Sequence, residues 1–243
     1  MPEGPSIVIL KEEAAPFTGK KVIEASGNAK IDIARMKGKK ILAFKSWGKQ
    51  FLICFPGFTV RVHFLMFGTY RINSAKDMPA RLHLQFANGE LNFYTSSIRI
   101  LEEPPDQVYD WTADVLNENW DPAKAMAKLR KIPDMMVCDA LLNQDIFAGS
   151  GNIIKNEVLF RIRVHPKNKV GKLPLKKKKE LVKEVVQYSY DFLEWKKAFV
   201  LRQHWLAHTK KTCPRCNIPL IKEYLGVTNR RSFFCNNCQI IYE

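Results

Sequence analysis

Four cysteines near the carboxyl end of the chain form two pairs with the spacing of a metal site. Cys213 and Cys216 flank two residues, Cys235 and Cys238 do the same, and 18 residues separate the pairs. Each pair can offer two thiolates to one ion, and four thiolates in a tetrahedron form a closed structural zinc site. The spacing therefore predicts one structural Zn²⁺, with four unrelated thiols as the alternative.

The amino terminus carries a second set of reactive groups. Pro2 follows Met1, and a small second residue normally allows removal of the initiator methionine. The exposed α-amine would have a pKa of about 7.7–8.0, far below that of a lysine. Such an amine can attack a sugar aldehyde carbon and form an iminium, with Glu3 beside it as general acid or base. Many proteins begin Met-Pro, so an ordinary amino terminus is the alternative.

A third candidate site lies at a predicted helix start. Residues 142–153 read LNQDIFAGSGNI, in which Gly149 and Gly151 precede Asn152. Helix N-termini present free N–H groups and a positive dipole end, which suits phosphate. We expect Asn152 to cap this helix and to bond a phosphate. An ordinary helix–turn–helix hairpin is the alternative.

The composition indicates what kind of partner this surface attracts. Lys and Arg number 39 against 24 Asp and Glu, which gives a net charge of +15, and 11% of the residues are aromatic. This balance favours nucleic acid, with a ribosomal or merely basic soluble protein as the alternative. No stretch reaches the roughly 20 apolar residues of a membrane span, and no signal peptide is expected. Cys54 and Cys138 stand in apolar surroundings and are expected to be inert.

The elements that must position these residues change along the chain. From about Val22 to Glu102, short alternating runs separated by Pro56-Gly57 and Asn88-Gly89 predict a two-sheet sandwich, preceded by a helix around 7–15. Helical texture follows, with Asp121 capping a helix that starts at Pro122. Further helices are expected near 135–143, after Gly151 and over 174–195. The domains are predicted at 1–110, 111–211 and 212–243.

Three motifs together resemble one protein family. PEGP at the start, GSGNIIKNE in the middle and CPRC…RRSFFCNNC at the end are similar to the formamidopyrimidine-DNA glycosylase / endonuclease VIII family, in the same order across essentially the whole chain. SWGKQFL (46–52) resembles its lysine strand and VHFLMFG (62–68) its void-filling loop. The resemblance implies a multidomain α+β fold: an N-terminal β-sandwich, a helix-two-turn-helix domain and a C-terminal zinc-finger hairpin.

The resemblance also implies roles for individual residues. Pro2 would be the Schiff-base nucleophile, Glu3 the proton donor, and Lys49 the lysine that assists β-elimination and contacts phosphate. Asn152 would contact a DNA phosphate, and Arg230, with Arg231 as the fallback, would bind phosphate and assist δ-elimination. The residues that would fill the gap left by the flipped nucleotide are Leu65, Met66 and Phe67; simple strand packing is the alternative for Met66.

The chain departs from the family pattern in two places. Ser6 replaces a second glutamate that commonly follows PEGP. TSSIRI (95–100) stands in place of the Asp-Pro-Arg-Arg-Phe loop typical of 8-oxoguanine enzymes, although Arg99 could still reach the orphan base. The first difference bears on the lesion pocket, and the second favours an endonuclease VIII-like enzyme acting on oxidised pyrimidines.

The expected function is therefore a bifunctional DNA glycosylase and abasic-site lyase of base excision repair. Its expected partner is damaged double-stranded DNA, and we expect a cytoplasmic monomer that needs neither a catalytic metal nor a redox cofactor. One rival is a non-catalytic zinc-containing damaged-DNA-binding protein of the same fold. The other is a zinc-ribbon nucleic-acid protein unrelated to repair.

Overall fold

The computed structural model describes residues 2–243, which divide into two compact units between Asp110 and Trp111. Helix α1 (Gly4–Ala14) opens the first unit, close to where the sequence predicts a helix. Pro5 lies in its first turn, where the missing N–H costs nothing. Ile7, Leu10 and Ala14 recur at helical spacing and are buried against strands of the same unit.

Six antiparallel strands follow α1 and form one continuous ladder in the order β1-β5-β6-β4-β3-β2. Their bounds are β1 Glu24–Ser26, β2 Ala43–Trp47, β3 Gln50–Phe55, β4 Phe58–Ile72, β5 Leu82–Phe86 and β6 Gly89–Leu101. The predicted turns at Pro56-Gly57 and Asn88-Gly89 join β3 to β4 and β5 to β6. Gly57 and Gly89 adopt φ of 83° and 141°, a region that glycine occupies without strain.

The ladder folds into two layers because β4 and β6 are long enough to belong to both. The first half of β4 pairs with β3 and with the end of β6, whereas its second half pairs with the start of β6, which also pairs with β5. Side chains from both layers share one apolar core. The predicted amino-terminal β-sandwich is confirmed.

The second unit begins with helices, after a short α2 (Pro105–Val108) that closes the first unit. Helix α3 (Pro122–Arg130) is capped as predicted, because the Asp121 carboxylate accepts the N–H groups of Ala123 and Lys124 at 2.8 and 3.1 Å. The remaining helices are α4 Val137–Ala140, α5 Asn152–Arg161 and α6 Leu175–Lys197. Short 3₁₀ turns lie at Ala15–Phe17, Ala34–Met36, Trp111–Ala113, Val170–Lys172 and Leu201–His204.

The helix expected over 135–143 is shorter than predicted. Met136 is extended and pairs with Lys169, so α4 cannot start before Val137. At the other end the Asn143 side chain accepts the N–H of Asp145 at 2.9 Å, a local turn that competes with helix continuation.

A two-stranded hairpin, β7 (Ile221–Leu225) and β8 (Arg230–Phe234), ends the second unit. Leu225 and Phe234 of this hairpin belong to the same apolar core as the helices. The four-cysteine segment therefore shares a core with the helices. The predicted domain boundary between residues 111–211 and 212–243 stays a prediction. Among residues 2–243, no helix combines the length and apolar character that crossing a membrane requires.

Candidate active site and metal centre

The predicted nucleophile and its acid lie at the start of α1. Pro2 is half-buried, and Glu3 is only 4% exposed. Glu3 is the N-cap residue, but its carboxylate does not cap the helix, and its carbonyl accepts the N–H of Ser6 at 2.8 Å. The carboxyl group is thus held at the positive end of a helix and shielded from bulk water, a position suited to proton transfer.

Lys49 lies in the tight turn between β2 and β3, the two strands on which α1 packs. Gly48 makes this turn with a φ of 53°. The Lys49 carbonyl accepts a hydrogen bond from His63 Nδ1 at 3.2 Å. Burial lowers the pKa of His63, which keeps the ring neutral with its proton on Nδ1. His63 therefore fixes the backbone of Lys49, a role that the strand pattern of the sequence could not reveal.

The predicted void-filling residues form an exposed apolar excursion in β4. Between the pairs Phe64↔Ser96 and Thr69↔Tyr94, the residues 65–68 of β4 lie opposite Thr95 alone. Leu65, Met66 and Phe67 are 47%, 54% and 83% exposed, so Met66 does not pack inside the sheet.

The excursion is closed tightly at its base. Gly68 is buried, and a Cβ there would lie 2.6 Å from the Thr95 carbonyl oxygen, so the return to the strand requires glycine. Phe67 and Thr95 adopt positive φ angles of 70° and 48°. A bulge with three solvent-exposed apolar side chains is costly in water, and such features mark sites of contact with a partner.

Asn152 is the first residue of α5, but it is not the cap. Gly151 is the N-cap residue, with φ −132° and ψ −162°, and no side chain caps the helix. The expectation that Asn152 caps this helix is therefore wrong, because the extended backbone ends one residue earlier. Two buried polar atoms at this helix start, Asn152 Oδ1 and Ser150 Oγ, have no hydrogen-bond partner among the residues that the structure describes. The start of α5 thus combines a positive helix end with unused polar groups.

Arg230 and Arg231 lie side by side at the start of β8. Arg230 pairs with Leu225 and is half-exposed, whereas Arg231 pairs with Tyr224 and is exposed. Because neighbouring strand residues face opposite sides, only one of the two arginines can point to a given ligand.

The four cysteines of the predicted zinc site come together. Their sulfur atoms all lie within 4.8 Å of one another, and Cys213 and Cys238 are 3.8 Å apart. A tetrahedral site with Zn–S bonds of about 2.3 Å has sulfur–sulfur edges of about 3.8 Å, so the arrangement fits a zinc ion. Cys213 and Cys235 are buried, and Cys216 and Cys238 are half-buried. The other thiols, Cys54 and Cys138, have pKa values raised mainly by burial, in line with the expected inertness.

Three buried polar residues of α5 tie the hairpin and the segment after α6 to the helices. Lys155, Asn156 and Glu157 are 1%, 2% and 0% exposed. The Glu157 carboxylate accepts the N–H groups of residues 206, 207 and 208 at 2.9, 2.9 and 2.7 Å. These residues stand in the GSGNIIKNE motif, yet their structural role was not predicted. The available signal was a polar run between two apolar pairs of the helix, residues 153–154 and 158–159.

The cysteine segment is also joined directly to α5. Arg215, between Cys213 and Cys216, places its guanidinium 3.9 Å from the centre of the Phe160 ring. Gln239 donates from Nε2 to the Val164 carbonyl at 2.8 Å. The metal centre is therefore part of the second unit's polar network and is not an isolated module.

The comparisons with known proteins decide the family. Residues 1–99 match the formamidopyrimidine-DNA glycosylase N-terminal domain, and residues 112–199 match the formamidopyrimidine-DNA glycosylase H2TH domain. Human endonuclease 8-like 2 is 30% identical over 259 residues, covering 98% of this chain and 75% of that protein. The chain belongs to the formamidopyrimidine-DNA glycosylase / endonuclease VIII family. The alternative of an unrelated zinc-ribbon protein is wrong.

Other members of the glycosylase family extend this comparison. Endonuclease 8-like 3 of Xenopus laevis is 29% identical over 231 residues, which cover 90% of this chain but only 38% of that protein. The chain thus spans less than half the length of this relative. A Lactococcus lactis formamidopyrimidine-DNA glycosylase, solved non-covalently bound to DNA containing an AP site, has a TM-score of 0.85 at 22% identity and covers 98% and 99% of the two chains. That likeness shows the shared fold.

Three further features of the sequence remain to be placed: Ser6, Arg99 and the lysine run of residues 176–179. Ser6 is half-buried in α1, and Arg99 is exposed on β6 directly opposite Arg61 of β4. In the lysine run of residues 176–179, Lys177 Nζ donates to the Ile162 carbonyl at 2.6 Å and Lys178 Nζ to that of Gly171 at 3.3 Å. Two of the four lysines of this run therefore bond within the protein.

Proposed function

We propose that this member of the glycosylase family is a bifunctional DNA glycosylase and abasic-site lyase, with Pro2 as its nucleophile. The observation that carries the proposal is the buried Glu3 carboxyl group at the start of α1, immediately after Pro2. A binding protein gains nothing from burying an acid beside a secondary amine, whereas an enzyme that opens a sugar ring needs both. The non-catalytic relative of the same fold is the second candidate.

The reaction needs the target nucleotide outside the DNA stack, at a cost of a few kcal/mol. The exposed side chains of Leu65, Met66 and Phe67 are suited to fill the gap, which offsets part of this cost. With Met1 removed, the Pro2 nitrogen attacks C1′ while Glu3 donates a proton to the sugar ring oxygen. The base departs with its bonding electron pair and takes up the proton that the Pro2 nitrogen loses, and an iminium links Pro2 to the opened sugar.

Strand cleavage follows from the same intermediate. The iminium acidifies the neighbouring C2′ proton, and its removal expels the 3′ phosphate by β-elimination. A second elimination at the 5′ side gives β,δ-cleavage. We propose that Lys49 assists the first elimination and that Arg230 assists the second. The backbone of Lys49 is held by the hydrogen bond from His63 to its carbonyl. Both steps conserve electrons, so they require no oxidant or reductant.

Damaged double-stranded DNA is the proposed substrate, with oxidised pyrimidines as the target bases. The relatives named endonuclease 8-like support this choice. After Thr95, residues 96–101 also pair in register with β4 to the end of β6, where 8-oxoguanine enzymes of the family carry a loop. The second unit would hold the phosphate backbone through Asn152 at the start of α5 and Arg230 on the hairpin.

A single structural zinc ion is the proposed occupant of the four-cysteine centre. Cys213, Cys216, Cys235 and Cys238 would hold it, and bound zinc would supply folding energy to the hairpin without entering the reaction. Action as a monomer is part of the same proposal.

Borohydride trapping on abasic DNA tests the proposal, because only a Schiff-base enzyme becomes fixed to the DNA. We expect the protein with a free Pro2 amine to be trapped, and a variant that retains Met1 not to be trapped. Met1 itself lies outside the described residues. Efficient trapping with Met1 in place would show that a lysine, such as Lys49, is the nucleophile. No trapping by either form, with DNA binding intact, would favour the non-catalytic relative.

A further inference from the structure

The turn between β7 and β8 wraps around one buried carboxylate. Asp139 of α4 is 5% exposed, and its Oδ2 accepts the N–H of Val227 at 3.0 Å. Its Oδ1 accepts the N–H of Thr228 at 3.1 Å and the Thr228 hydroxyl at 2.6 Å. An ionised carboxylate with three donors is a strong, directional anchor. Arg230 follows two residues after Thr228.

The turn leaves no space between its backbone and this carboxylate. Gly226 adopts a φ of 70°, and a Cβ there would lie 2.1 Å from Asp139 Oδ2. Asn229, with a φ of 45°, donates its N–H to the Gly226 carbonyl at 3.1 Å and leads directly into Arg230. The conformation of the residues before Arg230 is thus defined by Asp139.

The backbone after Arg230 is held from the other side by α5. Lys155 Nζ donates to the Arg231 carbonyl at 3.1 Å, and Asn156 Oδ1 accepts the N–H of Phe233 at 3.1 Å. Lys155 and Asn156 are almost fully buried, so these bonds are protected from water. Arg230 therefore projects from a short backbone segment that is fixed to α4 before it and to α5 after it.

We infer that Asp139 is a positioning residue for Arg230, which acts by holding the hairpin turn so that the Arg230 guanidinium meets a DNA phosphate. The inference rests on the proposed function, which assigns that phosphate contact to Arg230. It predicts a change in DNA affinity opposite in sign to the change that charge alone predicts for a variant without Asp139. Removing an acidic residue that lies beneath a DNA-binding surface should strengthen DNA binding by charge alone, whereas loss of a positioning residue should weaken it.

A double-mutant cycle separates positioning from general stability. The variants are Asp139→Ala, Arg230→Ala, the double variant, and Asp134→Ala as the matched control. Asp134 precedes α4, its side chain is 89% exposed, and it pairs with Lys169 at 3.2 Å. DNA affinity is measured against salt on a duplex with a reduced, uncleavable abasic site. Zinc content and thermal unfolding are measured on every variant.

Each phosphate neutralised contributes about −0.9 to the slope of log K against log salt. We therefore expect Arg230→Ala to flatten the slope by about 0.9 in the wild-type background. Asp139→Ala should weaken binding and flatten the slope by a similar amount, with zinc retained. Adding Arg230→Ala to Asp139→Ala should then change little, and Asp134→Ala should retain the wild-type slope.

Two results would count against the inference, and they differ. An unchanged slope for Arg230→Ala alone would overturn the proposed phosphate contact and this inference with it. Equal flattening by Arg230→Ala in both backgrounds would overturn the positioning role of Asp139 alone. If Asp139→Ala loses its zinc or unfolds, Thr228→Val replaces it in the cycle, since it removes only the hydroxyl donor. Partial coupling to Arg230 supports the inference, and strict additivity overturns it.

Discussion

The two units hold their proposed DNA-contacting residues in different ways. In the first unit, Lys49 lies in a turn and Leu65–Phe67 in a bulge of the sandwich itself. In the second unit, the position of Arg230 depends on polar side chains from other elements. The turn at Gly48 and the bulge closed by Gly68 are defined mainly by backbone conformation, with one side-chain bond, from His63 to the Lys49 carbonyl. The hairpin instead needs Asp139, which is distant in sequence. Local features tolerate loss of a distant contact, but a hairpin held by buried hydrogen bonds does not. We therefore expect chemistry and DNA binding to be separable by mutation.

The substitution Glu3→Gln should have the largest effect, because it should separate base excision from cleavage at a preformed abasic site. The carboxyl group is required to open the intact sugar, and general acid catalysis contributes roughly 10²–10⁴-fold in rate. At a preformed abasic site the aldehyde is already partly open, so cleavage there should survive in part. Single-turnover rates on a duplex with an oxidised pyrimidine and on a matching abasic duplex measure both activities. Equal loss of the two would contradict the role given to Glu3.

Cys213→Ser should produce the opposite pattern. Loss of one buried ligand from a four-cysteine centre should release the ion, because a closed structural zinc site needs all four of its ligands. DNA affinity should fall by an order of magnitude or more, because the strand that carries Arg230 loses its support. A tenfold fall corresponds to about 1.4 kcal/mol of binding free energy. The reactivity of Pro2 toward a small aldehyde should remain.

Elemental analysis checks this prediction directly, with one zinc per chain expected before the substitution and far less after it. Cys54→Ser provides the control, since Cys54 is a thiol of the sandwich that lies outside the metal centre. A Cys213→Ser protein that kept both its zinc and its DNA affinity would disprove the four-cysteine site.

A smaller effect is expected from Phe67→Ala. Phe67 is 83% exposed, so its removal should leave the folded state intact. The stacking that compensates for the flipped nucleotide should weaken by about 1 kcal/mol, which lowers the rate of base excision about fivefold. Phe199→Ala is the matched control, since Phe199 is 95% exposed in the second unit. Equal excision rates for the two variants would mean that Phe67 does not fill the gap.

A further effect concerns pH and the stability of the second unit alone. Burial, together with the charges of Lys155 and Arg231, lowers the pKa of His208 to about 4. The unfolded state binds the proton near pH 6.5, so the free energy of unfolding should fall as pH drops from about 6.5 to about 4. The whole loss is up to about 3 kcal/mol for this one group.

His208→Gln should flatten this dependence, because the glutamine carries no titrating proton. Its carbonyl oxygen can still accept from Asn156 Nδ2, which lies 3.1 Å from His208 Nδ1. Denaturant unfolding between pH 4 and pH 7 provides the measurement for both proteins. Identical pH dependence in the two would show that His208 does not control acid stability.

The contrast between the units also explains what the sequence could predict. Alternating strands, the Asp121 cap and the paired cysteines are local patterns, and each was predicted correctly. The bond from His63 to Lys49 and the carboxylate of Asp139 beneath the hairpin turn depend on pairing across the fold. Nothing in the spacing of Asp139 and Thr228 along the chain indicates that they meet, so long-range hydrogen bonds were missed.

The role of Asn152 shows a finer limit. Its residue type is common at helix caps, yet Gly151 takes that position because glycine adopts the extended N-cap backbone equally well. A shift of one residue moves a side chain by about 100° around a helix, which is enough to change its role.

Peptide mapping of the borohydride-reduced protein–DNA complex tests the central claim most directly. After digestion of the DNA and the protein, mass spectrometry locates the sugar remnant on one residue. We predict that it lies on the Pro2 nitrogen of a chain without Met1. A remnant on Lys49 or on any other lysine would contradict the account of this active site.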